Sequence, residues 1–559
     1  MTFLIENYRR SPLSFASGDG VWLRGADGKR YLDLVAGIAV NPLGHRHRSI
    51  LHAIRRASRS PLHLSNLYEI PEQETLARML CARAGNGYRA LFVNSGTEAN
   101  EAALKLARKA TGRTRLISFS EGFHGRTFGS LSLTPKPTMQ DAFVPLVPDC
   151  ATLAFNDLED LRTIDRRVAG VIVECIQGEG GLVAADPQWM KALRKRTRDV
   201  GALLIVDEVQ TGMGRTGTFF CYEQYGIAPD MITMAKGLGG GVPIGALIAR
   251  EKVAKHFTPG SHGSTFGGNP FVCTVAGAVV NVIGKPAFFE RVARLGAHTL
   301  QELRIIAEEF PEILIEIRGR GLMIGIVFTA PDLAKEAKTL LEERGILTNV
   351  TADCVMRLLP PLIIEGTHIN RFLRSFRAVL RIISSRAAKE NLHGTIVPAT
   401  VKDLATIRAI HRACSRKPYR TSRGTPYLKP LTREEMQSLL PRTFMLTKRT
   451  TIIGKVHWQM IGRSSRAALL GGLAVRGGSQ GNGHARVLIA AALSSMKNDR
   501  YRRAAAITAS PQVQSLLRGC GWKENDRAFP SLLRKSKARF AASERGMVRM
   551  FILDTKETR

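Results

Sequence analysis

Lys236 and Asp207 are the two residues whose types and placing point most directly to chemistry. Asp207 follows Val206 at the end of the apolar run ALLIV, in VDEVQTGMGRTG, and Lys236 lies in TMAKGLGGG, after a short strand-like stretch. One carboxylate and one amine thus stand at the ends of neighbouring hydrophobic runs. Either alone would be unremarkable, since Asp-Glu often closes a strand and lysine often precedes a glycine turn. Together they form the pair that pyridoxal phosphate chemistry needs. The amine can hold the aldehyde as a Schiff base, and the carboxylate can keep the pyridine nitrogen protonated so that the ring drains electrons from a carbanion.

Other motifs supply the remaining parts of such a site. SGTEANEAALKLAR starts at Ser95, after the strand-like ALFV, and opens an amphipathic helix. Backbone N–H groups at Gly96 and Thr97 are thereby suited to a phosphate dianion at a helix start. FHGRT, from Phe123, offers a ring to stack on a flat cofactor and, in Arg126, a guanidinium able to grip a carboxylate at two points. VECIQGEGG places Glu179 in a glycine-rich loop after another buried run, and HGSTFGGNP gives two hydroxyls, Ser264 and Thr265, before a loop suited to close phosphate approach.

With these motifs in this order, roughly residues 7–393 resemble the class III aminotransferases. SPLSF, GVWLRGADGKRYLDLVAGIAVNPLGH and RLLPPLII extend the likeness to both ends of that region. The resemblance implies an α/β architecture, the pyridoxal-phosphate-dependent transferase fold type I. Its large domain would span about residues 44–282, and its small domain residues 1–43 with 283–393. By similarity, Lys236 holds the cofactor covalently, Asp207 pairs with the ring nitrogen and Gln210 meets the ring hydroxyl, with Glu208 and Val209 beside them. Gly96 and Thr97 bind phosphate, and Phe123 covers the ring. Thr265 reaches the phosphate of a neighbouring subunit, which implies a homodimer.

Within the family the branch acting on acetylornithine, in arginine biosynthesis, is the most similar. Arg126 and Ser264 would bind that amine. Arg357, in MRLLPPL, would take the α-carboxylate of 2-oxoglutarate or glutamate, and Glu179 would pair with Arg357 while the first substrate is bound. Other ω-amino acids, ornithine and succinylornithine among them, are the competing substrates. One departure stands out. Cys175 occupies the place of the family's proline in VEPIQGEGG, which removes a locked φ from the loop carrying Glu179.

At 559 residues the chain exceeds a single core. It has no run of eighteen apolar residues, and its N-terminus lacks the apolar core and cleavage site of a secretory signal, so the expected setting is the cytoplasm, away from membranes. The eight cysteines are scattered singly, without zinc spacing, which suits a reducing compartment and gives no expectation of a metal. His45 and His47, in LGHRHRS, come nearest to a ligand pair.

The net charge of +34 is uneven. From Gly394 onward 32 Lys and Arg stand against 9 Asp and Glu, whereas the residues before carry +11. This change marks a boundary near ENLHGTIVPA and a second module over residues 394–559. There a strand ending in Leu473 and Val475 leads to Q-G-N-G-H-A and then a helix, so glycine-rich backbone could face an anion at the helix start. The loop and the order of elements resemble the GNAT acetyltransferases over roughly residues 396–530, most closely the short branch that acetylates glutamate. That resemblance implies an α/β domain whose acetyl-CoA site includes Leu473, Val475, Gln480, Gly481, Gly483 and Ala485. Catalysis is less legible there. No glutamate precedes the LAV strand, ITASPQVQSLL lacks the branch's tyrosine, and His484 takes a position usually aliphatic, leaving His457 as a candidate base. A noncatalytic or regulatory module is the alternative. The basic residues form no aromatic stacking series, which argues against nucleic acid.

Overall fold

The computed structural model describes residues 3–8 and 10–386 with their side chains, the backbone of a helix running on to Asn391, and a set of strands beyond it. The chain packs as two units, Met1–Ile383 and Ser384–Arg559. The sequence boundary near Gly394 lies ten residues further on, past the end of the helix Gly366–Asn391.

The first unit is built on a sheet of seven strands: β1 (Tyr88–Val93), β2 (Arg115–Phe119), β3 (Cys150–Leu153), β4 (Val168–Glu174), β5 (Leu203–Asp207), β6 (Met231–Met234) and β7 (Gly245–Arg250). Their spatial order is β1-β7-β6-β5-β4-β2-β3, and β7 runs antiparallel to both of its neighbours. Every residue of β4 and β6 is buried, as expected of central strands covered on both faces. Apart from β7 the strands run the same way, so their carboxyl ends share one edge. That edge carries Glu174 and Asp207, leads into Gly96, Phe123 and Lys236, and is where open α/β sheets bind ligands.

Helix α1 (Gly96–Thr111) packs on this sheet through a face dominated by Ala99, Ala102, Ala103 and Ala107. The small side chains allow close approach: a Cβ added to Gly170 of β4 would lie 3.0 Å from that of Ala107. Ser95 caps the helix by accepting from the Glu98 N–H at 3.3 Å, and Gly112 ends it in the left-handed conformation that glycine tolerates.

A second sheet, β8 (Leu314–Arg320), β9 (Met323–Phe328), β10 (Asn349–Thr351) and β11 (Val355–Leu358), has the order β8-β9-β11-β10. The N-terminal strands Phe15–Asp19, Trp22–Gly25 and Arg30–Asp33 join Ile346–Leu347 in a third. Their shared core includes Leu32, Leu303, Phe328, Phe372 and Phe376. The buried Arg215, from the loop after β5, ties the two regions by donating to the carbonyls of Leu322 at 3.1 Å and Pro360 at 2.6 Å. His45 and His47 have ordinary work: His45 meets Asp33 at 2.9 Å, and His47 caps the helix Arg48–Ala57.

In the second unit the described strands are β12 (Gly394–Pro398), β13 (Thr443–Lys448), β14 (Thr451–Met460), β15 (Ala467–Val475), β16 (Arg503–Thr508), β17 (Lys523–Glu524) and β18 (Arg549–Asp554). They form one sheet in the order β12-β13-β14-β15-β16-β18-β17, in which only β15 and β16 pair in parallel. Among the described residues that pairing stops at Leu470 and Ala506, whereas β15 stays paired with β14 through Val475. The β14/β15 register also shifts between Lys455 and His457, where three steps along β15 face two along β14. Leu473 and Val475 lie in this stretch of β15. Gln480, Gly481, Gly483 and Ala485 lie outside the described residues.

Candidate active site

A cavity of about 520 Å³ opens at the carboxyl edge of the large sheet, lined among others by Gly96, Thr97, Phe123, Arg126, Glu179, Asp207, Val209, Gln210 and Lys236. Residues spread over 141 positions of sequence thus meet in one place because five strand ends deliver them there.

Asp207 closes β5 and is 4% exposed. Its Oδ2 lies 2.8 Å from His124 Nδ1 and accepts from Asn100 Nδ2 at 2.9 Å, while Oδ1 accepts from the Val209 N–H at 3.0 Å. Three donors therefore fix the orientation of the carboxylate. Sequence reasoning missed His124 and Asn100, although each sits inside a motif already singled out, FHGRT and SGTEAN. The missing signal was the contact itself, made across 83 and 107 residues.

Lys236 follows β6 in a short turn with φ +44°. Burial pushes its ammonium down from the ordinary lysine range, and nearby Arg357 adds to this against the opposing pull of Glu179, Asp207 and Glu174. A lysine so placed keeps a larger share of neutral, nucleophilic amine at neutral pH.

Glu179 and Arg357 meet at 2.5 Å, from the Arg357 Nη1 to Oε1. The same Nη1 donates to the Gly178 carbonyl at 2.8 Å and to Gln210 Oε1 at 3.3 Å. Burial alone would raise the Glu179 carboxyl, but the Arg357 charge and hydrogen bond hold it below the usual carboxylate range. Arg357 is 1% exposed and does not line the cavity, whereas Glu179 does. The carboxylate therefore screens the guanidinium.

The structure does not bring every expected residue to the cavity. Glu208, expected beside the cofactor, points away from it: the buried side chain accepts from the Tyr222 N–H at 2.8 Å and Thr211 Oγ1 at 2.5 Å and holds the following loop instead. Alternation along an extended chain turns Asp207 and Glu208 to opposite sides. Ser264, expected on the substrate, accepts from Asn94 Nδ2 at 3.1 Å and the Gly267 N–H at 3.0 Å, outside the cavity of its own chain. Thr265 is exposed and also outside it. Arg126 is exposed on the lining, and no carboxylate among the described residues pairs with it.

Cys175 is buried, and its carbonyl accepts from the Ala185 N–H at 2.9 Å and the Tyr225 hydroxyl at 3.0 Å. Those bonds anchor the loop at the point where the proline ring is lacking.

The residues present suit pyridoxal phosphate. At Gly96 a Cβ would lie 2.8 Å from Val209 Cγ1, and at Gly125 one would lie 2.2 Å from Thr97 Oγ1, so side chains there would crowd the helix start. That start leaves N–H groups free for an anion. A fixed carboxylate, a depressed lysine and an aromatic wall complete the set.

The family model described as Aminotransferase class-III matches residues 5–380. The chain belongs to the class III aminotransferases. Pyridoxal-phosphate-dependent transamination is accordingly its chemistry. This class III aminotransferase is 44% identical over 389 residues to the acetylornithine aminotransferase of Aquifex aeolicus, a match covering 68% of the chain and all of that protein. It is 45% identical to the acetylornithine aminotransferase of Mycobacterium tuberculosis H37Rv, over 67% of the chain and 94% of that protein. Among solved structures, ornithine aminotransferase from Toxoplasma gondii ME49 is similar with a TM-score of 0.66 at 31% identity, covering 69% of the chain and 94% of its own. N-acetylornithine aminotransferase from Stenotrophomonas maltophilia K279a gives 0.59 at 32%, covering 68% and 98%.

Proposed function

We propose that the first unit transaminates N2-acetylornithine with 2-oxoglutarate, giving N-acetylglutamate 5-semialdehyde and glutamate. The observation that carries this reading is the Glu179–Arg357 pair, whose Glu179 lines the same cavity as Arg126, a guanidinium that no carboxylate pairs with among the described residues. One site then serves two substrates in turn. Bound pyridoxal phosphate supplies an aldehyde for the amine and a ring that takes up the electrons of the broken C–H bond. Gly96 and Thr97 would hold its phosphate through backbone N–H groups, Asp207 its ring nitrogen, Gln210 its ring hydroxyl and Phe123 one ring face.

Lys236, displaced by the incoming amine, moves the proton as general base and then general acid, a role its depressed pKa favours. Arg126 grips the carboxylate of the long amine. While that substrate is bound, Glu179 neutralises Arg357 and leaves the deep end without a free cation. A substrate with its carboxylate next to the reacting carbon needs that cation, so Glu179 must swing aside to release it.

The high identity to acetylornithine aminotransferases supports the amine named, and the likeness to ornithine aminotransferase structures supplies the competitor. Catalytic efficiency for acetylornithine, succinylornithine and ornithine at fixed 2-oxoglutarate separates them. Preference for acetylornithine supports the proposal, and preference for ornithine overturns it. The exposed Thr265 and the apolar Leu67, Tyr68 and Phe266 at the surface support a homodimer in which Thr265 serves the neighbouring site. Sedimentation at a single monomer mass would contradict this. The cytoplasm remains the proposed compartment.

For the second unit we infer a GNAT-like acetyltransferase domain that takes acetyl-CoA. The sheet order supports it, as does the parting of β15 from β16 after Leu470. Among the described residues no β15–β16 pairing follows Leu470, and an extended, amide-bearing arm such as that of CoA could add there as a strand. Glutamate is the proposed acceptor. Glutamate-dependent thiol release from acetyl-CoA by the full-length Lys236→Ala protein, absent after truncation at Gly394, is the expected result; binding without turnover makes the unit regulatory.

A further inference from the structure

Glu174 has no part in the chemistry above, yet it occupies a central place in the site. It closes β4, is paired in register with Asp207 on the parallel strand β5, and lines the same cavity. Paired residues of parallel strands point to one face of the sheet, so the two carboxylates stand side by side. Each oxygen of Glu174 accepts from a different loop: Oε1 from the Phe123 N–H at 3.0 Å, and Oε2 from the Gly178 N–H at 3.0 Å. Asp207 holds the side chain of the next residue, His124. The two carboxylates thus grip adjacent residues, one by backbone and one by side chain, and Glu174 alone extends the grip to the loop of Gly178 and Glu179.

We propose that Glu174 is a positioning residue that couples the Phe123 wall of the cavity to the loop carrying Glu179, so that the two half-reactions depend on it unequally. Gly178 is held from both sides: its N–H by Glu174, its carbonyl by Arg357. When the Glu179 side chain leaves Arg357 to admit a substrate with an adjacent carboxylate, the Glu174 bond to the Gly178 N–H ties the loop root to the Phe123 wall, beside the bonds that the Glu179 carbonyl accepts from Lys136 Nζ at 3.0 Å and Thr351 Oγ1 at 3.1 Å. The amine half-reaction needs no such movement. Loss of one Glu174 bond should therefore weaken the 2-oxoglutarate half-reaction more than the amine one. The inference rests on the proposed exchange at Glu179, but the link between the two loops stands on geometry alone.

The shape of the side chain makes the claim testable. Glu174→Gln is isosteric and replaces one acceptor oxygen with an NH2 that faces a backbone N–H donor, so one of the two loops loses its bond. Glu174→Asp keeps the charge but is one methylene shorter, so it reaches one loop only. In full-length holoenzyme, single-turnover rates with the ω-amine and with 2-oxoglutarate are to be measured separately. Hydrogen exchange of the peptides containing Phe123 and Gly178 is followed in the same proteins, wild type included.

The expected outcome for either variant is a change of about tenfold or more in the ratio of the two half-reaction rates, in disfavour of 2-oxoglutarate. Faster exchange should appear at Phe123 or Gly178. Equal losses in both half-reactions, or exchange unchanged at both amides, would overturn the proposal. If one variant does not fold, the other supplies the ratio, and wild-type exchange that is fast at either amide also overturns it. Failure of the wild type to react with any ω-amine would instead overturn the proposed function, while the exchange measurement would still decide the link between the loops.

Discussion

The Arg357 guanidinium donates to the Glu179 carboxylate at 2.5 Å from a position behind it, so a cation needed for one substrate is covered by an anion that the other can leave in place. Arg357 is buried whereas Glu179 stays partly exposed, so the guanidinium bears a desolvation cost that the attraction of the carboxylate offsets in part.

Arg357→Lys keeps the charge and removes the guanidinium whose Nη1 donates to Gly178, Glu179 and Gln210. The 2-oxoglutarate half-reaction should fall about a hundredfold, with much less change in the acetylornithine half-reaction. Rapid-mixing measurement of each half-reaction checks this; equal effects on both would place Arg357 outside substrate binding.

Gly96→Ala puts a Cβ 2.8 Å from Val209 Cγ1, at the helix start expected to hold phosphate. Either Val209 or the helix end must shift. Affinity for pyridoxal phosphate should drop about tenfold or more, read by titrating the apoenzyme and following cofactor absorbance.

How much of this was legible in the sequence depends on the range of the signal. Lys236, Asp207, Gly96 and Phe123 each sit where a run of apolar residues ends in a distinctive motif, and they meet in the cavity as those motifs imply. His124 and Asn100 stood within the motifs of Phe123 and Gly96, and Glu174 within that of Glu179, but their roles come from contacts between elements distant in sequence, and adjacency carries no sign of them. The Glu208 side chain turns away from the cavity because neighbours along an extended backbone face opposite ways. The boundary placed near Gly394 lies past the end of the helix Gly366–Asn391, which runs across the division after Ile383.

Burial pushes the Glu208 carboxyl up to about 7, against the hydrogen bonds it accepts from Thr211 and from the backbone of Tyr222 and Cys221. The folded pKa is thus above the unfolded one, so the folded state binds the proton more tightly. Its stabilising contribution is present at acid pH and is lost as pH rises through about 7. Glu208→Gln removes that titration. Between pH 5 and 8 the wild type should lose stability relative to the variant, by about 3 kcal/mol at most. Denaturant unfolding of both proteins across this range is the check, and because Glu174 is present in both, its own titration cancels. A difference independent of pH would refute the assignment.

The most direct test of the central claim gives the full-length, cofactor-loaded protein one substrate at a time and follows cofactor absorbance in a single turnover. The account predicts that acetylornithine alone converts the cofactor to its amine form, that 2-oxoglutarate alone then restores it, and that Glu179→Gln shifts the relative rates toward substrates whose carboxylate adjoins the reacting carbon. A protein that leaves acetylornithine untouched while ornithine converts the cofactor, or a Glu179→Gln variant with unaltered relative rates, would contradict it.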